Sequence, residues 1–235
     1  MTILGAGHGQ SIEYYRYNNR DYFLIACTNK KAGEAYWSTQ IGRVEFKNKD
    51  EVQNGDIHRL TYLSYATKNY TNNSNKTIKR CDAALSADNS KMLIWMLNTD
   101  GDIYYSCYNF ETVKSQLEKN IKTSFKNNKT LYKALQYSVY QVKKTRVFPQ
   151  ESFQGIEVTN AGNIYQSSGK KGDLPWICKV NKNGTWESTV KVGFSNDTEK
   201  FEMEGIKIKG DDLYFTTKFD SYDCRIGKIL KNELD

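Results

Sequence analysis

The sequence predicts an all-β chain whose antiparallel strands repeat in four-stranded units, and three observations carry that reading. The apolar runs, such as Met92 to Leu97, are strand-length and fall well short of the roughly 18 residues of a membrane helix. They alternate with short Asn, Asp and Gly turns in a chain with 16 Gly and only two Pro, the composition of tight hairpins. A five-residue unit also recurs, with a polar residue, a small residue, Ile, a charge and an apolar residue: Gln10 to Tyr14, Gln154 to Val158 and Glu204 to Ile208, with Cys81 to Leu85 as a looser copy. The starts Gln10, Asp82, Gln154 and Glu204 lie 72, 72 and 50 residues apart, the scale of a propeller blade. One blade cannot bury its own faces, so the expectation is one β-propeller domain over residues 1–235, a ring of four or five blades. A β-sandwich of hairpins is the architectural alternative.

The elements follow in order. Met1 to Leu4 is an apolar piece before the first hairpin, expected to clasp the ring by completing the last blade. In each unit the repeated segment leads into a hairpin turn: Asn18 to Asp21, Asp88 to Ser90, Asn160 to Gly162 and Gly210 to Asp212. Further strands are expected at Ile41 to Phe46 and Ile57 to Tyr65 in the first unit, and at Trp176 to Val180 and Thr185 to Val192 in the third. The last unit offers Met203 to Ile208, Leu213 to Thr217 and Ile226 to Leu230, one strand short. Between Asn109 and Asn128, Val113, Leu117, Ile121 and Phe125 recur every four positions, which predicts a helical insertion over about 110–127 with Asn109 as N-cap. Its stripe packs on the propeller rim or, given its lysines, touches an anionic membrane.

Composition narrows the function classes. Hydrophobic residues make up 38% and aromatics 13%, enough to exclude disorder. The net charge of +7 favours an anionic partner: nucleic acid, an acidic membrane or a phosphate-rich wall polymer. Nucleic acid ranks last, because Lys and Arg are spread along the chain apart from short runs such as Lys143-Lys144. The first nine residues lack the pattern of a secretory signal, and they could equally be the cut edge of a longer protein. The five cysteines are scattered without metal spacing and read as small buried hydrophobes.

No GxSxG, HExxH, P-loop or GxGxxG occurs, and two histidines leave little material for an imidazole base. Asn98, Asp100 and Asp102 imitate a Ca²⁺ loop, but Ile103 and Asn109 stand where Gly and Glu are needed, so the segment reads as a turn. No metal and no cofactor is expected. What remains is the opening of each repeat, where innermost strands meet a central channel. Gln10, Asp82, Gln154 and Glu204 are expected to form a polar ring there, with His8, Glu13 and Glu157 nearby. Glu13, Glu157 and Glu204 are the candidates for acid–base work on a glycosidic bond. The favoured role for these groups is a repeated structural hydrogen-bond network.

Gly7 to Tyr14, Tyr36 to Arg43, Ala84-Leu85-Ser86 and Phe153 to Glu157 resemble the helveticin J family of large, heat-labile bacteriocins. The resemblance covers most of the chain, although family members are usually longer at the N-terminus. It implies killing of related Gram-positive bacteria at the cell envelope; with the charge of +7, the expectation is a secreted or released antibacterial protein, a monomer, bound to teichoic acid, wall glycan or anionic lipid. It carries over no catalytic residues. A wall-glycan hydrolase or glycan-binding propeller is the alternative.

Overall fold

Backbone φ turns positive at the expected hairpin turns: Asn18 (49°), Asn19 (58°), Asn89 (54°), Gly162 (94°) and Gly210 (63°). Asn and Gly tolerate this left-handed region better than other residues, which is how the sequence punctuates its strands. The computed structural model describes residues 1–32, 35–47, 51–67, 77–141, 152–169, 174–193, 201–219 and 223–234. Lys143 and Lys144 lie outside them.

The strands form a four-bladed β-propeller. Strand β1 (Thr2–Leu4) precedes the first blade, which comprises β2 (Ile12–Tyr17), β3 (Arg20–Ala32), β4 (Ala35–Glu45) and, after β5 (Glu51–Gln53), β6 (His58–Thr61). The second blade holds β7 (Ile78–Leu85), β8 (Lys91–Asn98) and β9 (Ile103–Asn109). It then passes through α1 (Phe110–Lys119), β10 (Lys122–Ser124) and α2 (Lys129–Ala134) before its outer strand β11 (Leu135–Gln141). The third is β12 (Ile156–Val158), β13 (Ile164–Ser168), β14 (Trp176–Val180) and β15 (Trp186–Lys191). Among the described residues the fourth has three strands, β16 (Glu202–Lys209), β17 (Asp212–Lys218) and β18 (Cys224–Leu230). In every blade the repeat-bearing strand, β2, β7, β12 or β16, lies at the end of its sheet.

Alternation along the strands places apolar side chains between blades. Leu24, Ile41 and Leu60 of the first blade meet Ala83, Met92 and Ile94 of the second, and Phe110, Val113 and Leu117 of α1 join them. Trp95 and Leu93 meet Ile156 and Val158, and Ile177 meets Met203, Leu213 and Phe215. Burial of one such side chain contributes about 1.5–3 kcal/mol. Between the fourth and first blades the described residues form no such cluster. Ile12 on one wall is 63% exposed and Ile226 on the fourth blade 73%.

Four expectations are corrected. Residues 1–4 do not close the ring: β1 pairs in parallel with β5, Ile3 opposite Val52, and Ile3 packs on Cys27, Val44 and Ile57. The apolar piece finds a nearer partner inside the first blade's own long connection. The long insertion helix stops at Lys119, because Asn120 leaves helical geometry and Lys122–Ser124 pairs in parallel with β6. Ile121 is therefore exposed, although Asn109 caps α1 as expected by accepting from the Thr112 amide at 3.0 Å. Tyr62, at φ 56°, ends β6 early and turns the chain into a short 3₁₀ segment at Leu63–Tyr65. Cys27, Cys81, Cys107 and Cys178 are buried, but Cys224 is exposed on the uncovered face of β18. Asn98 and Asp102 form the β8–β9 turn, Asp102 N–H donating to Asn98 Oδ1 at 2.9 Å.

Candidate functional site

Because each blade begins with the same unit, equivalent residues converge at the axis in two polar layers. In the first layer Gln10 N–H donates to Asp82 Oδ2 at 2.9 Å, Gln10 Nε2 donates to Gln154 Oε1, and Gln154 Nε2 donates to Gly169 O at 3.2 Å. Three blades are thus joined through three of the four residues expected in the ring. Asp82 is fully buried, which pushes its carboxyl up to about 6 against the opposing pull of Arg80.

The hub of this layer is Arg80, which the sequence reading missed. It donates to Gln10 Oε1 and to Phe153 O (3.0 Å), and its guanidinium lies 4.1 Å from the Trp37 ring centre and 5.0 Å from that of Phe153. Burial pulls its pKa down to about 10, with Asp82 opposing. His8 sits edge-on to Trp37 at 4.7 Å, its backbone N–H donating to Tyr36 O at 2.7 Å, and burial and Arg80 lower the pKa of its ring. His8 and Trp37 thus form the rim of the first layer.

Three residues along each repeat lies the second layer, Glu13, Glu157 and Lys207. The Lys207 ammonium donates to Glu13 Oε2 at 2.6 Å and to Glu157 Oε1 at 2.8 Å, tying the first, third and fourth blades. Both carboxyls are buried, and burial raises both pKa values, Glu157 to about 8 with the added repulsion of Glu13. One ammonium cannot neutralise two carboxylates, so near neutral pH this trio holds a proton. That combination, one carboxyl and one carboxylate, is the chemistry acid–base catalysis needs. The Lys207 ammonium, however, occupies the space between them.

Glu204 is not brought to either layer. It is half-buried, its pKa raised by burial and by Glu202 with Lys218 opposing, so its charged neighbours belong to its own blade. The small residue of the repeat has a packing role: a Cβ on Gly155 would lie 2.7 Å from Ile206 N and 3.0 Å from Gly205 Cα. The looser second copy is out of phase, since Cys81, Ala83 and Leu85 face the first blade while Ala84 joins the core shared with Ile156. Leu85 consequently stands where the other repeats carry a charge. Among the described residues no three His, Cys, Asp or Glu groups are arranged to hold a metal.

The sequence profile of the family described as bacteriocin helveticin-J matches residues 1–233. The chain belongs to the helveticin J family. Its relative bacteriocin helveticin-J from Lactobacillus helveticus is 29% identical over 143 residues, 59% of this chain and 42% of that protein. The helveticin J match therefore spans less than half the length of this relative. Among solved structures, a GH43_1 enzyme from Xanthomonas citri superposes with a TM-score of 0.47 at 9% identity, over 96% of this chain and 71% of that one. The tail fibre of Staphylococcus aureus phage P68 gives 0.49 at 13% identity, over 94% and 49%. No helix among the described residues is long and apolar enough to cross a membrane.

Proposed function

We infer that this protein is a secreted or released bacteriocin that binds the envelope of related Gram-positive bacteria and kills them, acting as a monomer without cofactor. The observation that carries this reading is the helveticin J profile match over nearly the whole chain. The net charge of +7 supports an anionic target, teichoic acid, wall glycan or anionic lipid, to which long-range attraction concentrates the protein. The channel residues serve structure in this account. Gln10 is hydrogen-bonded to Asp82, Gln154 and Arg80, and Lys207 pins Glu13 and Glu157 where a substrate would have to enter.

A second reading, hydrolysis of wall glycan, draws on one observation, the buried Glu13–Glu157 pair with raised pKa values. It requires Lys207 to leave its two partners.

The test is binding and killing of susceptible cells by purified protein as salt rises. Between roughly 0.01 M and 0.15 M the Debye length falls from about 30 Å to about 8 Å, so binding and killing should weaken steeply together. Killing without salt-sensitive binding, or no killing at all, contradicts the reading.

A further inference from the structure

A cavity of about 540 Å³ lies away from the channel, where the insertion folds back on the first and second blades. Its wall is made by Tyr65 after β6, Tyr108 of β9, Phe125 after β10 and Tyr132 of α2, with Asn128 and Lys129 at the edge. We propose that this cavity binds a pyranose unit of an anionic wall polysaccharide.

The lining points to a sugar. Among the described residues that line it, four are aromatic and none is Leu, Ile or Val, as an acyl chain would favour. The electron-rich face of an aromatic ring attracts the polarised C–H groups on one face of a pyranose, while the ring hydroxyls need polar partners at the rim. Tyr108 and Phe125 are held at 5.2 Å with their planes tilted, and Tyr132 is half-exposed at the mouth. Asn128 supplies the polar rim in a fixed orientation. Its Oδ1 accepts from the Thr130 and Leu131 amides at 3.1 and 3.0 Å, which leaves the Nδ2 donors directed elsewhere. The volume falls within the usual range of small-molecule sites.

Charge selects the kind of polymer. From Lys119 to Lys133 the chain carries five lysines and neither Asp nor Glu. Lys122, Lys126, Lys129 and Lys133 are exposed, and Lys126 Nζ lies 5.9 Å from the Tyr65 ring centre. A neutral sugar needs no such surround, whereas a sugar borne on a phosphate-containing or acidic chain is retained by it. The proposal deepens the envelope reading and rests on it for the source of the sugar.

The test is calorimetric titration of the full chain with polysaccharide fragments, freed by mild acid from walls of a susceptible strain and sized to a few sugars. The wild type and Tyr132→Phe should bind, Tyr132→Ala should bind at least about tenfold more weakly, and Phe46→Ala, an exposed aromatic elsewhere, should bind like the wild type. Lys129→Gln, an exposed change that leaves the fold alone, should weaken binding at low salt and flatten its salt dependence. Tyr132→Ala binding the fragments as tightly as the wild type overturns the proposal. So does a Tyr132→Ala protein that loses affinity for phosphatidylglycerol vesicles alone, which would assign the cavity to lipid. Wild-type protein that binds whole cells but no fragment also overturns it, whereas failure to bind whole cells overturns the envelope reading beneath it.

Discussion

Replacing Lys207 by Met keeps the length and apolar stem of the side chain and removes the ammonium that Glu13 and Glu157 share. Both carboxyls are nearly fully buried, at 4% and 2% exposure, so the change leaves two buried acids without a cation. Breaking a buried ion pair by deleting one partner typically costs about 3–5 kcal/mol. The Lys207 side chain is 53% exposed, so water screens part of the interaction, and the carboxyls can take up protons. The expected loss is therefore about 2–3 kcal/mol at about pH 8, or about 4–12 °C in melting temperature for a chain of this size. At about pH 5 both carboxyls of the variant are protonated and neutral, and the loss should shrink to less than half. Thermal melts followed by circular dichroism at the two pH values read this directly. A variant that melts like the wild type at about pH 8, or one whose deficit is the same at both values, would refute the pin.

Two further outcomes follow from the same layers. Glu157 and Asp82 have folded-state pKa values of about 8 and about 6, above their ordinary 4.5 and 3.8, so the folded state keeps protons that the unfolded chain releases. Their contribution is full below the unfolded values and lost as pH rises through the folded ones. The wild-type melting temperature should accordingly fall between about pH 5 and pH 8, and a rise over that range would contradict the shifts. Gly155→Ala places a methyl group 2.7 Å from Ile206 N, a backbone atom that cannot swing aside. It should cost about 1–3 kcal/mol by denaturant unfolding, and a neutral result would show that the inner strands have slack.

The blades were legible because local chemistry specifies them: Asn18-Asn19, Asn89, Gly162 and Gly210 mark the turns, and the recurring Gln10, Gln154 and Glu204 segments mark the innermost strands. The polar ring followed from that register, and Gln10, Asp82 and Gln154 do meet. Arg80 escaped because it lies outside the repeated five residues, and only the assembled ring brings it between Trp37 and Phe153. Lys207 was visible as the charge in its repeat, and its partners hold the same repeat position 194 and 50 residues away, but only the closed ring turns the three charges onto one another. The helix was overextended because Ile121 and Phe125 continue the four-residue spacing by coincidence. Their actual places are set by β10 pairing with β6 and by the aromatic contact with Tyr108.

In the proposed function the channel carboxyls hold the ring together and do not perform the killing. The deciding experiment is the killing activity of a Glu13→Gln, Glu157→Gln double variant, normalised to its folded fraction and set beside release of reducing sugar from purified walls. Glutamine keeps the shape and hydrogen bonding of each side chain and removes the ionisable proton. Wild-type killing per folded molecule and no sugar release from either protein are expected. A double variant that melts like the wild type yet neither kills nor releases sugar, beside a wild type that does both, would contradict it.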